Sequence, residues 1–151
     1  ASLNIDTSSM SLHTLRDTIK TRVVENKDAG LSLLFQSFGF KNGLPVDADI
    51  VFDVRCLPNP YWDVSLRSLT GLDEGVIDYL DSQQEVQAMK TDIADYLHKW
   101  LPSFEKNNRS YITVAIGCTG GQHRSVYLCE KLIREFSDSI KSVLVRHREL
   151  G

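Results

Sequence analysis

Three features follow one another between residues 111 and 136, and together they restrict the fold more than anything else in the chain. Ile112, Val114 and Ile116 lie in a β-branched run that reads as a strand. The glycine-rich stretch Gly117-Cys118-Thr119-Gly120-Gly121-Gln122-His123-Arg124-Ser125 follows it. Val126, Leu128, Leu132, Ile133 and Phe136 then mark a helix, and Val143 to Val145 reads as a short last strand. Strand, loop, helix and strand make a βαβ unit, which implies parallel pairing with a right-handed crossover. The fold class expected is α/β: a single domain with a mainly parallel or mixed sheet flanked by helices, its ligand loop at a strand-to-helix junction.

The rest of the chain fits that frame. Residues 1–10 are short and polar and read as a leader or linker, so the domain proper is placed at 11–151. Leu12, Leu15, Ile19 and Val23 recur at helical spacing behind Ser11 as N-cap. Leu31 to Phe38 reads as a buried strand, Lys41 to Pro45 as a turn, and Ile50 to Leu57 as a second strand ended by Pro58 and Pro60. A short helix is expected near Glu74 to Leu80. A long one is expected from Val86 to Phe104, kinked or ended by Pro102.

Ligands of open α/β sheets sit beyond the carboxyl ends of the strands, where Cys118 to Arg124 falls. Gly120 and Gly121 can turn consecutive N–H groups toward one centre. The following helix adds its unpaired N–H groups and the positive end of its dipole. His123 and Arg124 lie in the first helical turn, where cations are disfavoured by about 0.3–1 kcal/mol each. A bound anion reverses that penalty. The plain alternative is a tight turn with a solvated arginine.

Cys118, Arg124 and Ser125 also resemble the Cys-x5-Arg-Ser loop of the tyrosine phosphatases. There a thiolate attacks phosphorus and the arginine holds the phosphoryl oxygens. Gly117 stands where that pattern has His, which favours a lining role for Cys118. Asp53 and Arg55 lie two apart, on one face of the second strand. They are read as an exposed ion pair, or as an acceptor for an amine or hydroxyl (Asp53) beside an addition to the anion site (Arg55). Asn59, Tyr61 and Trp62 can wall a sugar pocket, with Trp62 favoured as core or interface. Asn107, Asn108 and Arg109 read as a turn. Cys56 and Cys129 are placed in the core, and Arg146-His147-Arg148 is a small basic cluster.

Bulk composition restricts the partners. The 151 residues are 42% apolar and 25% charged, as expected of one soluble domain. Three cysteines without a CxxC pair argue for a reducing compartment, hence the cytoplasm, and against a metal site. No apolar run reaches membrane-spanning length. With a net charge of −3, RNA contact would need a local basic patch.

Phe35 to Gly43, Asp47-Ala48-Asp49, Phe52 to Arg55, Leu57 to Pro60, Asn107 to Tyr111, Gly117 to Val126 and Arg146 to Arg148 together resemble the C-terminal domain of the bacterial RNase adapter family RapZ. Ile5-Asp6-Thr7-Ser8 resembles the segment that joins this domain to an N-terminal P-loop domain. The resemblance implies a non-catalytic sensor of glucosamine-6-phosphate or a similar sugar phosphate. It implies no cofactor in this domain, ATP or GTP in the N-terminal one, and small RNA and RNase E as partners of the full-length protein. It places the ligand on Asp53, Arg55, Tyr61, Asn107, Ser110, Cys118, Thr119, Gly120, Gly121, His123 and Arg124, and any RNA on Arg146 and Arg148. RNA-binding members often end in a Lys/Arg-rich tail, where this chain reads Glu149-Leu150-Gly151. A homo-oligomer is expected, a dimer through this domain, with no membrane contact. A cysteine-dependent phosphatase is the alternative.

Overall fold

A computed structural model describes residues 30–140 and 142–150. The expected linker over 1–10 and the helix from Leu12 to Val23 lie outside the described residues.

Four strands form one parallel sheet in the order β2-β3-β1-β4. They are β1 (Ser32–Gly39), β2 (Ile50–Asp53), β3 (Tyr111–Cys118) and β4 (Ser142–His147). β1 is buried along its whole length, because it lies between two strands and is covered on both faces. The βαβ expectation holds for strand direction, but β4 pairs with β1, which lies between it and β3.

Three helices complete the described fold: α1 (Glu74–Asp81), α2 (Gln84–Lys106) and α3 (Arg124–Phe136). Leu33 and Phe35 of β1, Ile112, Val114 and Ile116 of β3, Val76 and Leu80 of α1, Ile93 and Leu97 of α2, and Leu128 and Leu132 of α3 share one core. Alternation along the strands sends Leu34, Tyr111 and Leu144 to the other face, where they form a second, smaller cluster. Pro102 does not end α2, which runs on to Lys106.

Two elements differ from their expected form. β2 ends at Asp53, four residues early. Val54 N–H still reaches Gly117 O at 2.9 Å, but Leu57 N–H then turns back to Val54 O at 3.2 Å. The carbonyls of Arg55 and Leu57 are taken by a side chain from α3 and not by a neighbouring strand. Cys56, placed in the core by its sequence setting, is exposed on this turn, whereas Cys129 is buried in α3.

Because all four strands point the same way, their carboxyl ends open on one side of the sheet. The turns after β1, β2, β3 and β4 therefore meet there. At the opposite end, Asp49 accepts from Arg109 Nη2 at 2.7 Å and from Thr113 N–H at 2.8 Å, which pins the start of β2 to that of β3. Among the described residues no helix is long and apolar enough to cross a membrane.

Candidate functional site

The loop between β3 and α3 folds around Cys118. The Gly121 N–H donates to Cys118 Sγ at 3.3 Å, and the thiol donates to Ser125 Oγ at 3.2 Å. Gly121 takes φ +77°, the left-handed region that favours glycine, so the reversal requires that residue. Gly117 is equally constrained, by space: a Cβ there would lie 2.6 Å from a Phe40 ring carbon. A side chain where the phosphatase pattern carries histidine would have to displace the Phe38 and Phe40 rings.

Arg124 opens α3 and is 3% exposed. Its Nη1 donates to Arg55 O at 2.7 Å and Leu57 O at 2.9 Å, while Nη2 lies 3.5 Å from Thr119 Oγ1. Among the described residues its Nε has no hydrogen-bond partner, nor has Nε2 of His123, which is 7% exposed. A buried polar group left in this state costs about 1–3 kcal/mol.

These residues form the floor of a pocket of about 370 Å³. Cys118, Thr119, Gly120, Gln122, His123 and Arg124 come from the glycine loop. Lys41 comes from the turn after β1, tied to the loop by its N–H on Thr119 O at 3.2 Å. Asn59, Tyr61, Trp62 and Arg67 come from the long strap after β2. Asn59 Oδ1 caps the short 3-10 turn Pro60–Trp62 by accepting the Tyr61 N–H at 3.1 Å. Tyr61 and Trp62 meet edge to face, centroids 5.6 Å apart. Arg67 donates through Nε to Tyr61 O at 2.9 Å and stacks on the Tyr61 ring at 4.6 Å. None of the described residues lining the pocket carries a carboxylate.

The sequence-derived candidates divide accordingly. Tyr61, Cys118, Thr119, Gly120, His123 and Arg124 line the pocket, and Gly121 shapes it. Trp62, expected in core or interface, is 76% exposed at the pocket edge. Asp53 and Arg55 do not line it; they form a two-pronged pair with each other, at 2.7 and 2.9 Å, on the exposed surface. The Arg55 hydrogen bonds hold the Asp53 carboxyl below its ordinary range, against the opposing effect of burial. The Arg55 guanidinium also lies 4.0 Å from the Phe40 ring centroid.

Asn107 and Ser110 precede β3 and so lie at the far end of the sheet, about 23 Å along the strand from the loop. There Asn107 Nδ2 donates to Ser103 O at 3.2 Å, and Ser110 O accepts from Ser32 N–H at 3.0 Å. The basic cluster also separates. His147 turns inward, Nδ1 lying 2.8 Å from Ser37 Oγ and Nε2 2.7 Å from Glu130 Oε2. Arg148 is engaged by Gly43 O at 2.7 Å and by Glu149. Arg146 is half-buried on β4, and burial pulls its pKa down.

Lys41, Gln122 and Arg67 were not singled out from the sequence. Lys41 sits inside a stretch that carries the family resemblance. Gln122 lies within the loop itself, and Arg67 has no sequence signal. Among the described residues no group of His, Cys, Asp and Glu could hold a metal ion.

Fold and site together define a parallel α/β domain whose glycine loop and helix N-terminus floor a cation-rich pocket. A model of the RapZ C-terminal domain matches residues 31–151, and the chain belongs to that family. It is 59% identical over 150 residues to a nucleotide-binding protein of Saccharophagus degradans, covering 99% of this chain and 52% of that one. A nucleotide-binding protein of Marinobacter nauticus is also 59% identical over 150 residues, and one of Pseudomonas putida is 57% identical. Each alignment covers 99% of this chain, and 51% and 53% of those relatives. The chain thus spans about half the length of the curated relatives it matches.

Proposed function

We propose that this domain is a non-catalytic sensor of a phosphorylated amino sugar, glucosamine-6-phosphate. The observation that carries the reading is the pair of unsatisfied buried nitrogens, His123 Nε2 and Arg124 Nε, on residues that floor a pocket without carboxylates. An anionic oxygen is the partner they lack, and the helix N-terminus beneath them favours the same charge. Lys41 and Arg67 add two cations at the mouth. Tyr61 and Trp62 offer aromatic faces to a sugar ring. Asn59, Thr119 and Gln122 supply neutral acceptors for its amine.

In the full-length protein the sensor acts beside an N-terminal nucleotide-binding domain, as part of an adapter that presents small RNA to RNase E. The relatives' description as nucleotide-binding proteins is in keeping with such a partner domain. The test is calorimetric titration of the chain with glucosamine-6-phosphate, glucose-6-phosphate, inorganic phosphate and ATP. The reading requires glucosamine-6-phosphate to bind most tightly. Binding no tighter than that of inorganic phosphate, or a preference for ATP, sinks it.

One observation favours a second reading, a cysteine-dependent phosphatase. Cys118 Sγ receives the Gly121 N–H and contacts Ser125 Oγ, as a nucleophile in a Cys-x5-Arg-Ser loop would. The carboxylate-free lining leaves that chemistry without a nearby general acid. Turnover of an aryl phosphate that disappears in Cys118→Ser would decide for the phosphatase.

A further inference from the structure

Resting on this reading of the pocket, we propose that Glu149 is a positioning residue of the ligand site. From the carboxyl end of β4 it clamps the turn that carries Lys41 and wedges the glycine loop from behind.

Glu149 lies in the 3-10 turn Arg148–Leu150 that follows β4. It does not line the pocket, so whatever it does there it does through other residues. Its Oε2 accepts the Gly39 N–H at 3.0 Å, and its Oε1 accepts from Asn42 Nδ2 at 3.0 Å. Those two contacts bracket the 3-10 turn Phe40–Asn42, whose middle residue is Lys41. One carboxylate thus ties down both ends of the segment that delivers a cation to the pocket. Arg148 braces the same turn from outside, donating to Gly43 O at 2.7 Å and Gly39 O at 3.3 Å. Arg148 also holds the carboxylate in place, through Nε at 2.9 Å and Nη2 at 2.8 Å.

The second contact is steric. Glu149 Cγ occupies the space beside Gly121 where a side chain would otherwise stand. A Cβ at Gly121 would also lie 2.5 Å from the Gly39 nitrogen, and one at Gly39 would lie 2.5 Å from the Gly120 carbonyl carbon. Gly39, Gly120 and Gly121 are therefore packed backbone on backbone, with the Glu149 stem closing the stack. Displacing that stem frees the loop on the face opposite the ligand.

The carboxylate is held as an anion. Burial works against its charge, but the Gly39 N–H, Arg148 and the Asn42 amide outweigh it and keep its pKa below the ordinary 4.5. The fold thus maintains a negative charge behind a site that itself receives anions. Such a placement is unfavourable for the ligand unless the geometric support outweighs it, and Arg148 offsets the charge locally.

The test is a double-mutant cycle read by calorimetry with glucosamine-6-phosphate. Glu149→Ala is expected to weaken binding about tenfold, the scale of one lost charge-assisted contact. Glu149→Gln keeps the stem and an acceptor and should retain most of the affinity. In Lys41→Ala, adding Glu149→Ala should cost about threefold, clearly less than in the unaltered chain, because the part of its effect that runs through Lys41 is gone and the part that runs through the glycine loop remains. Unchanged affinity in Glu149→Ala, or full additivity with Lys41→Ala, overturns the proposal. If the unaltered chain binds no sugar phosphate, the pocket reading falls and the positioning is judged from amide spectra. Glu149→Ala must then shift the amides of Thr119 to Gln122 and speed their exchange, although Glu149 hydrogen-bonds to none of them. Unmoved amides overturn it there too.

Discussion

The Gly71 N–H donates to the carbonyl of Gln122 at 2.7 Å, fastening the strap after β2 to the glycine loop after β3. The strap carries Asn59, Tyr61, Trp62 and Arg67; the loop carries the pocket floor. The two approach so closely that a Cβ on Gly71 would lie 2.5 Å from both His123 O and Tyr127 N. These are backbone atoms at the start of α3 and cannot step aside.

Gly71→Ala should therefore push the strap off the helix end. We expect a loss of about 1–3 kcal/mol in stability, as for other overpacked sites. Sugar-phosphate affinity should fall as well, because two walls of the pocket separate. Thermal unfolding and calorimetry on the same sample check both. A variant with unaltered melting temperature and affinity would show that the strap does not depend on this contact.

Arg124→Ala removes the donor that satisfies the Arg55 and Leu57 carbonyls as well as the floor of the pocket. It should weaken sugar-phosphate binding roughly tenfold to a hundredfold. It should also destabilise the fold by about 1–3 kcal/mol, the cost of carbonyls left without a donor. Arg124→Lys keeps the charge but not the forked donor set, and should recover little of either. Full affinity in Arg124→Ala would place the phosphate elsewhere.

Asp53→Ala tests whether the amine is read by that carboxylate. Asp53 is half-exposed and held by Arg55, outside the pocket lining. Its removal is expected to change the preference for glucosamine-6-phosphate over glucose-6-phosphate by no more than about twofold, in line with the small value of exposed pairs. A larger selective loss for the amino sugar would return Asp53 to the site.

Cys118→Ser is expected to keep ligand affinity within about threefold, since a hydroxyl can accept from Gly121 N–H and donate to Ser125 Oγ as the thiol does. No aryl phosphate turnover is expected before or after the change.

Alkaline pH addresses the packing of α1 on α3. The buried Tyr127 hydroxyl donates to Asp81 Oδ1 at 2.5 Å and accepts from Gln87 Nε2 at 2.9 Å. Burial, and then the Asp81 carboxylate, push its pKa from 10.0 up to about 12. The folded chain holds this proton more tightly than the unfolded one. Its contribution is therefore complete below pH 10 and is lost as pH rises through about 12. Denaturant unfolding across that range should show the decline, and Tyr127→Phe should flatten it. An equal decline in the variant would assign the effect to other groups.

Periodicity along the chain was enough for the three described helices and for the strands around β1 and β3, because buried elements carry their pattern locally. It overran β2 because Arg55 and Leu57 look like strand residues. The chain turns instead, and their carbonyls are taken by the Arg124 side chain, 69 positions beyond Arg55. The same turn brought Cys56 to the surface. Asn107 and Ser110 belong to the same resemblance as the loop, yet they stand at the other end of β3. Motif membership does not record the end of a strand at which a residue sits.

What the sequence determined by itself is the glycine loop and its polarity. Cys118, Gly121 and Ser125 lie within one turn of chain, and the hydrogen bonds among them depend on spacing and local backbone alone, whereas those of Arg124 reach Arg55 and Leu57 in the distant strap. What only the tertiary structure decided is everything that meets this loop from elsewhere. Lys41 reaches it because β1 lies beside β3, Arg67 because a strap from β2 is pinned at Gly71, and Glu149 because β4 pairs with β1 in parallel. Strand order is set by burial of the whole sheet, a sum over distant pairs. No local stretch of sequence contains the register that brings these four chain ends together.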